Sequence, residues 1–165
     1  MMTINVDMDR LLEIARQMMD GHVKYGLGSK APSLSCEPSA IKAIDCSGFV
    51  RYIIYKATGG AVHMPDGSWI QHDWCKHQKL PTADYKTEAM KLDNWLRIAF
   101  LPKHEKHPGH VWLVLNGKTL ESHGHKGPDR RMWNTPALKA VNAFYVLSTS
   151  TPPILQDGFG LFAYA

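Results

Sequence analysis

The sequence predicts an α+β domain, with helices in its first half and an antiparallel sheet in its second. Apolar residues recur at helical spacing before residue 80, whereas short apolar runs separated by turn residues follow from residue 95. No repeat or low-complexity tract interrupts this order, and 165 residues, 44% of them hydrophobic, are enough for one core. We therefore expect a single domain over residues 1–165, with a carboxy-terminal tail from about residue 149 to which the pattern assigns no role.

Periodicity and capping residues predict three helices. The first begins after an aspartate cap at Asp7 or Asp9 and ends at Gly21. The second runs from about Cys46 to Thr58, where a pair of glycines stops it. A shorter third helix follows the turn-forming triplet Pro65-Asp66-Gly67.

Four β-prone segments predict the sheet. An Asn116-Gly117 pair between the second and third segments is typical of a two-residue hairpin turn, which makes these two strands antiparallel neighbours. Helices followed by antiparallel strands are the pattern of an α+β fold. The four segments are residues 95–101, 111–115, 119–122 and 143–148.

Charge and hydropathy limit the kinds of partner and the cellular location that we expect for the chain. Nineteen Lys and Arg against fifteen Asp and Glu give a formal charge of +4, which favours anionic surroundings such as nucleic acid, anionic lipid or cell wall. The basic residues are scattered and form no nucleic-acid-binding motif, so we expect no nucleic-acid partner. No stretch approaches the roughly 20 apolar residues of a membrane span. The amino terminus has no signal-peptide pattern, so we expect synthesis in the cytoplasm and a different route to any target outside it.

Cys46 is the leading candidate nucleophile. It lies in the first turn of the second predicted helix, after a long Gly-, Ser- and Pro-rich loop from Tyr25 to Ala43. Unpaired N–H groups and the helix dipole at such a position stabilise a thiolate. A lone cysteine is more often a small buried apolar residue, so a second element is needed. The three cysteines, an odd number at irregular spacing, predict free thiols and no disulfide framework.

The second element is His110, which opens an apolar strand just before the hairpin. On the next strand Glu121 and His123 share one face, because strand side chains alternate, and either can approach His110 across the turn. Cysteine, histidine and a third polar group that orients the imidazole are the components of a thiol hydrolase. Taken alone, the same residues also fit a histidine that ends a strand and another that faces solvent.

The order of three motifs resembles the NlpC family of bacterial cell-wall cysteine peptidases. They are Asp45-Cys46-Ser47-Gly48-Phe49-Val50, then Gly109-His110-Val111 at the start of a strand, and then a histidine on the following strand. The resemblance extends from about Tyr25 to Phe144. It implies a papain-like NlpC-type α+β fold, with amino-terminal helices packed on a central antiparallel sheet. It also implies a peptidoglycan endopeptidase that needs no cofactor and cuts stem peptides between γ-D-glutamate and diaminopimelate or lysine.

Position by position, the resemblance makes Cys46 the nucleophile, His110 the general base and His123 the residue that orients the His110 ring. Tyr25 matches a Tyr-x-x-Gly element, Tyr25-Gly26-Leu27-Gly28, whose hydroxyl helps to stabilise the oxyanion together with the backbone N–H of Cys46. Glu121 is the alternative to His123 as the third residue. Trp112 departs from the family pattern, which usually has a small residue there.

Two basic residues near this candidate site are open to two interpretations. Arg130 and Arg131 follow the histidine-rich turn after the third predicted strand. Guanidinium groups match the geometry of carboxylates on a stem peptide, and ordinary solvated surface charge explains the pair equally well. Neither residue is assigned to the site.

Two other functions stay open from the sequence. Nine histidines suggest a metal-dependent hydrolase, but His104-Glu105-Lys106-His107 is one residue short of the His-Glu-x-x-His spacing and Pro108 follows directly. His72, Cys75 and His77 lack the further pair that a zinc site needs, so we expect no metal. The other alternative is a catalytically idle structural or binding module of a phage particle or wall-associated assembly.

The resemblance also sets the expected partners. They are a peptidoglycan peptide as substrate and, if the chain is an injected toxin, an immunity protein that neutralises it. The sequence leaves open whether the chain is a phage lysin, an injected toxin or a virion enzyme. It also leaves open whether the cut is at the stem peptide or, as in related thiol amidases, at the junction of sugar and peptide.

Overall fold

Over residues 4–105 and 108–149, which this computed structural model describes, the chain forms four helices and five strands, and the helices precede the sheet as predicted. The α+β fold class is confirmed. The helices are α1 (Met8–Asp20), α2 (Cys46–Ala57), α3 (Ser68–His77) and the short α4 (Tyr85–Glu88), with 3-10 turns at Pro38–Ala40 and Pro136–Leu138. The strands are β1 (Leu96–Leu101), β2 (His110–Leu115), β3 (Lys118–His123), β4 (Gly127–Asp129) and β5 (Ala143–Ser148).

Aspartate caps fix where the first two helices begin. The Asp7 carboxylate accepts a hydrogen bond from the Arg10 N–H at 3.0 Å, and the Asp45 carboxylate accepts one from the Gly48 N–H at 2.7 Å. Both bonds satisfy backbone donors that have no partner within the helix. The second cap places Cys46 as the first residue of α2.

The strands form one antiparallel sheet in the order β4-β3-β2-β1-β5. The β2–β3 hairpin turns at Asn116 and Gly117, which both have positive φ, as the predicted two-residue turn requires. This turn sets Leu113 opposite Leu120. In the neighbouring pair, His110 lies opposite Leu101, so the histidine is at one end of the sheet.

Both faces of the sheet are buried. Alternate β2 residues belong to two apolar clusters, because strand side chains point to opposite faces. One cluster packs α1 and α2 against the sheet and the other, around the fully buried Trp112, lies beneath α4 and the second 3-10 turn. This burial explains why β2 is apolar without interruption. His110 shares the face of Trp112.

Both outer strands of the sheet meet other parts of the chain. Along β5, the Val146 N–H donates to the Pro81 carbonyl at 2.8 Å, and the Ala83 N–H donates to Phe144 at 3.0 Å. At β4, a Cβ on Gly127 would come within 2.3 Å of the Val23 carbonyl oxygen. The segment that leads to Tyr25 therefore lies directly against the β4 edge.

The described residues contain no helix with the length and apolar character of a membrane span. The carboxy-terminal tail predicted from about residue 149 lies, apart from its first residue, outside the described part of the chain. Cys36, Cys46 and Cys75 are all unpaired.

Candidate active site

The Cys46 side chain is held between the start of α2 and the sheet. Cys46 is 8% exposed, and Ile44, two residues earlier, accepts a 2.8 Å hydrogen bond at its carbonyl from the Ser122 hydroxyl of β3. This bond joins the approach to the helix to the strand next to β2. The thiol is thus fixed at a helix amino terminus, where the dipole stabilises negative charge.

His110 opens β2 directly after Gly109, whose φ of +89° is a conformation that favours glycine. The His110 ring stacks on the Trp112 side chain with a centroid separation of 5.2 Å and an interplanar angle of 24°. Trp112 is fully buried, so it gives the imidazole a rigid packing surface. The bulky residue that departs from the family pattern therefore supports the histidine.

The His110 ring interacts with both Cys46 and Glu121. Burial by itself would lower the pKa of His110, but hydrogen bonding and charge from the Cys46 thiol and the Glu121 carboxylate raise that pKa to about 9. Because the Nε2 atom of the ring is 2.8 Å from Glu121 Oε1, the nitrogen that can serve the thiol is Nδ1. This arrangement favours an imidazolium at neutral pH.

Glu121 has no exposed surface and is surrounded by donors. Its carboxylate accepts from Thr119 Oγ1 at 2.5 Å, from Arg131 Nε at 2.9 Å and from Arg131 Nη2 at 2.7 Å, in addition to its bond with His110. Burial would raise the pKa of Glu121, whereas hydrogen bonds from His110 and Arg131 outweigh it and lower the pKa to about 2. Glu121 is therefore a compensated, buried carboxylate.

The ring of His123 has other partners. Its Nε2 atom is 2.9 Å from Asp129 Oδ2 and its Nδ1 atom is 3.2 Å from the Gly124 carbonyl oxygen. Strand β4 causes this, because it pairs His123 with Gly127 and brings Asp129 alongside. The residue expected from the family resemblance to orient His110 thus points elsewhere, and the alternative, Glu121, makes the contact.

Tyr25 lies near the thiol, half-buried, on the segment that lies against β4. Burial, followed by the negative charges of Cys46 and Asp45, raises the pKa of Tyr25 to about 12. The hydroxyl therefore stays protonated over the physiological range and can donate a hydrogen bond. The predicted site residues Tyr25, Cys46 and His110 are brought together in the structure.

A groove of about 640 Å³ opens beside His110. Its polar lining combines Tyr25 and His110 with three further histidines, His104, His123 and His125, and with Arg131. A substrate in this groove would lie along the imidazole and meet several ring and guanidinium N–H groups. The apolar lining comes from Leu101, Pro102, Pro108, Ala137, Leu138 and Ala140.

Sequence reasoning missed the functions of two basic residues. Arg131, open to interpretation as a substrate ligand or surface charge, forms a two-bond ion pair with Glu121. Lys30 received no role, yet its Nζ atom lies 2.7 Å from both carboxylate oxygens of Asp45. The sequence could not have identified these two residues, because spacing along the chain does not show which Lys or Arg side chain will contact Asp45 or Glu121 in the fold.

No three His, Cys, Asp or Glu side chains are grouped so that they could hold a metal ion, as far as residues 4–105 and 108–149 are concerned. The His72 ring, one of the residues weighed as a zinc ligand, is instead 3.0 Å from the Tyr145 hydroxyl through Nε2.

Solved structures give the comparison for this fold. An NlpC/P60 family protein from Bacillus cereus matches with a TM-score of 0.56 and 19% identity, over 86% of this chain and 41% of that one. An NLP/P60 family protein from Staphylococcus aureus, described as similar to a lipoprotein, matches with a TM-score of 0.54 and 13% identity, over 90% of this chain and 44% of that one. This chain thus spans less than half the length of either.

A third solved structure is similar in extent to this chain. The P60 domain of an antigen from M. avium subspecies paratuberculosis matches with a TM-score of 0.53 and 17% identity, over 87% of this chain and 96% of that domain. Neither a protein-family model nor a curated protein sequence matches the chain. The likeness is one of three-dimensional structure at low identity, and on that evidence the chain has an NlpC/P60-like fold.

Proposed function

We propose that this protein is a cysteine hydrolase that cleaves amide bonds in the stem peptides of bacterial peptidoglycan. The observation that carries the proposal is the arrangement of Cys46, His110 and Glu121, with the thiol at a helix amino terminus and the imidazole engaged by a buried carboxylate. The NlpC/P60-like fold supports the same chemistry. We propose the cell wall as its site of action.

The reaction follows from the protonation states at this site. The Cys46 thiolate attacks the scissile carbonyl carbon, and the negative charge moves to the carbonyl oxygen. The backbone N–H of Cys46 and the Tyr25 hydroxyl donate to that oxygen. Imidazolium His110 then gives its proton to the leaving amine as the C–N bond breaks, which leaves a thioester on the enzyme.

Water completes the cycle. Neutral His110 takes a proton from a water molecule, and the resulting hydroxide attacks the thioester carbonyl. The C–S bond breaks, the carboxylic acid product leaves, and the thiolate and imidazolium are restored. Glu121 is a positioning residue in both steps, because it contacts the ring and stabilises its positive charge without contacting the reacting atoms.

The groove supports a carboxylate-bearing peptide as the substrate. His104, His123, His125 and Arg131 line the groove beside His110 and offer N–H donors to a carboxylate, and the formal charge of +4 favours an anionic polymer. Within stem peptides we propose the bond between γ-D-glutamate and diaminopimelate or lysine, because a γ-linked glutamate keeps a free α-carboxylate close to the scissile bond. Hydrolysis leaves a new carboxylate on the glutamate and a new amine on the diamino acid.

The test is digestion of purified diaminopimelate-type and lysine-type peptidoglycan by the wild-type protein and by Cys46→Ala, with mass spectrometry of the released fragments. New amino termini at the diamino acid, absent with the variant, are the expected result. Fragments cut between sugar and peptide would show that the protein is an amidase and that the proposed scissile bond is wrong. If neither wall type releases fragments with the wild-type protein, the proposed substrate is wrong.

A further inference from the structure

We propose that Lys30 is a positioning residue of the active site, joining the amino terminus of the Cys46 helix to the segment that packs beside His110. The inference depends on the proposed role of Cys46 as nucleophile and does not depend on the identity of the substrate. The Lys30 side chain contacts both walls of the site.

On the cysteine side, Lys30 contacts the two residues that flank Cys46. Its Nζ atom is 2.7 Å from both carboxylate oxygens of Asp45 and 3.0 Å from the Ser47 hydroxyl. Asp45 is 5% exposed, and a carboxylate buried to that extent needs a compensating charge. Its oxygens also accept from the N–H groups of Gly48 and Gly28. Lys30 therefore supports the cap that starts α2.

On the histidine side, Lys30 Nζ lies 2.7 Å from Asp66 Oδ1, and this same oxygen accepts from the Gly67 N–H at 3.0 Å. Ser68, the first residue of α3, follows immediately. A Cβ on Gly109 would lie 3.2 Å from the Ser68 hydroxyl oxygen, so this turn packs against the residue that precedes His110. The lysine thus reaches the histidine strand through the turn that opens α3.

A second contact links the same two walls. The buried Gln71 side-chain amide donates at 2.9 Å to the Ser47 carbonyl and at 2.9 Å to the Pro65 carbonyl. Gln71 fixes the distance between the backbones at Ser47 and Pro65. Lys30 supplies the positive charge that pairs with Asp45 and Asp66. Because Gln71 is present in either case, loss of Lys30 leaves the two segments connected, and its effect falls on the site itself.

The packing of the lysine stem also explains one residue of the Asp-Cys-Ser-Gly motif. A Cβ on Gly48 would lie 2.8 Å from Asp45 Oδ1 and 3.0 Å from Lys30 Cδ. Any larger side chain would push the cap carboxylate and the lysine stem away from the first turn of α2. Gly48 therefore leaves room for the Lys30 contact.

Lys30 remains a cation throughout the working pH range. Burial would lower the pKa of Lys30, but hydrogen bonds and charge from Asp45 and Asp66 raise it above its ordinary value. The ammonium group supplies the counter-charge for the buried Asp45 carboxylate, so Lys30 holds in place the residue that caps the Cys46 helix.

The experiment measures alkylation of Cys46 by iodoacetamide across pH, in wild type, Lys30→Met, Lys30→Arg and Lys42→Met. Peptide mapping follows Cys46 separately from the half-buried Cys36. Lys42 is an exposed lysine of the same loop and serves as the matched control. We expect Lys30→Met to alkylate about tenfold more slowly than wild type at neutral pH, because the variant leaves the Asp45 carboxylate beside the cysteine without its counter-charge.

The remaining variants separate charge from shape. Lys30→Arg should recover most of the alkylation rate, and Lys42→Met should match wild type. Identical pH profiles for wild type and Lys30→Met would overturn the proposal. If Lys30→Met does not fold, Asp66→Asn removes only the link to the histidine side and should lower kcat with little change in KM. An unchanged kcat in that variant would contradict the proposal that Lys30 connects the two walls of the site.

The outcome is distinguishable from failure of the proposed function. Alkylation needs no peptidoglycan, so slower alkylation in Lys30→Met supports the role of Lys30 even if no wall fragment is released. Conversely, suppose that the protein hydrolyses the wall and that Lys30→Met has the same alkylation profile as wild type. The proposed hydrolase function would then stand, and the proposed role of Lys30 would be wrong.

Discussion

His110 Nε2 and Glu121 Oε1 are 2.8 Å apart, and the glutamate in this pair is entirely buried. A carboxylate at this place stabilises a positive imidazole more strongly than a neutral polar group would. Its charge requires a counterion when the histidine is neutral, and Arg131 provides one from the groove side. The charges of four successive side chains therefore alternate in sign when the thiol is ionised, in the order Cys46, His110, Glu121 and Arg131.

Glu121→Gln should reduce kcat/KM by about 10²- to 10⁴-fold, because the amide no longer stabilises the imidazolium or fixes its tautomer. His123→Gln, the matched change on the same strand face, should lower kcat/KM by about tenfold at most, since its ring contacts Asp129 and Gly124 and it can act only through the groove lining. Steady-state hydrolysis of a stem-peptide substrate gives both values. The opposite ranking of the two variants would restore His123 as the orienting residue.

Arg131→Met should destabilise the fold by about 3–5 kcal/mol, because it leaves the Glu121 carboxylate buried with one charged partner fewer. Urea unfolding at pH 7 measures this loss. The double variant Glu121→Gln/Arg131→Met should be more stable than Arg131→Met alone, since both charges are then gone. Strictly additive losses would show that the two residues do not depend on each other.

The ion pair also sets a pH dependence of stability. The pKa of His110 in the folded protein, about 9, exceeds its unfolded value of 6.5, so its contribution is complete below about pH 6.5 and is lost as the pH rises through 9. We expect the free energy of unfolding to decline between these limits in wild type and to be flatter in His110→Gln. Parallel curves for the two proteins over that window would contradict the raised pKa.

Glu121 gives the converse behaviour at acid pH. Its folded pKa of about 2 lies below the unfolded value of 4.5, so its contribution is present above pH 4.5 and is lost as the pH falls toward 2. Wild type should lose stability over this range more steeply than Glu121→Gln. Urea titrations at intervals from pH 5 to pH 2 would show the difference as converging curves.

Tyr25→Phe should lower kcat by about 10²-fold with little change in KM, as loss of one oxyanion donor does in other acyl-transfer enzymes. The hydroxyl stays protonated up to a pH near 12, so the effect should not vary between pH 6 and pH 9. Tyr55→Phe, a conservative change of a tyrosine that packs on His63, is the control. Equal rates for Tyr25→Phe and wild type would remove Tyr25 from the oxyanion site.

The fold could be predicted from the sequence wherever local signals were strong. Asp7 as the cap of the first helix and Asn116-Gly117 as the hairpin turn are confirmed, because each depends on a few neighbouring residues. The short α4 and β4 were not predicted, since three or four residues are too few to show a period. Their existence depends on contacts distant in sequence.

The site was harder to predict for the same reason. Glu121 and His123 lie on one strand face, and periodicity cannot choose between them. The choice is made by β4, which pairs with β3 and takes His123, and by Arg131, which folds back onto Glu121. Lys30 likewise acquires its contacts only when the long loop closes over the start of α2.

The coverage of β5 limits how this sheet can meet other chains. Along this strand the Val146 N–H already donates to Pro81, and the Phe144 carbonyl accepts from Ala83. A peptide that added a strand at this edge would have to displace residues 81–83. Backbone pairing there is thus closed to a ligand, whereas the groove beside His110 is open to one.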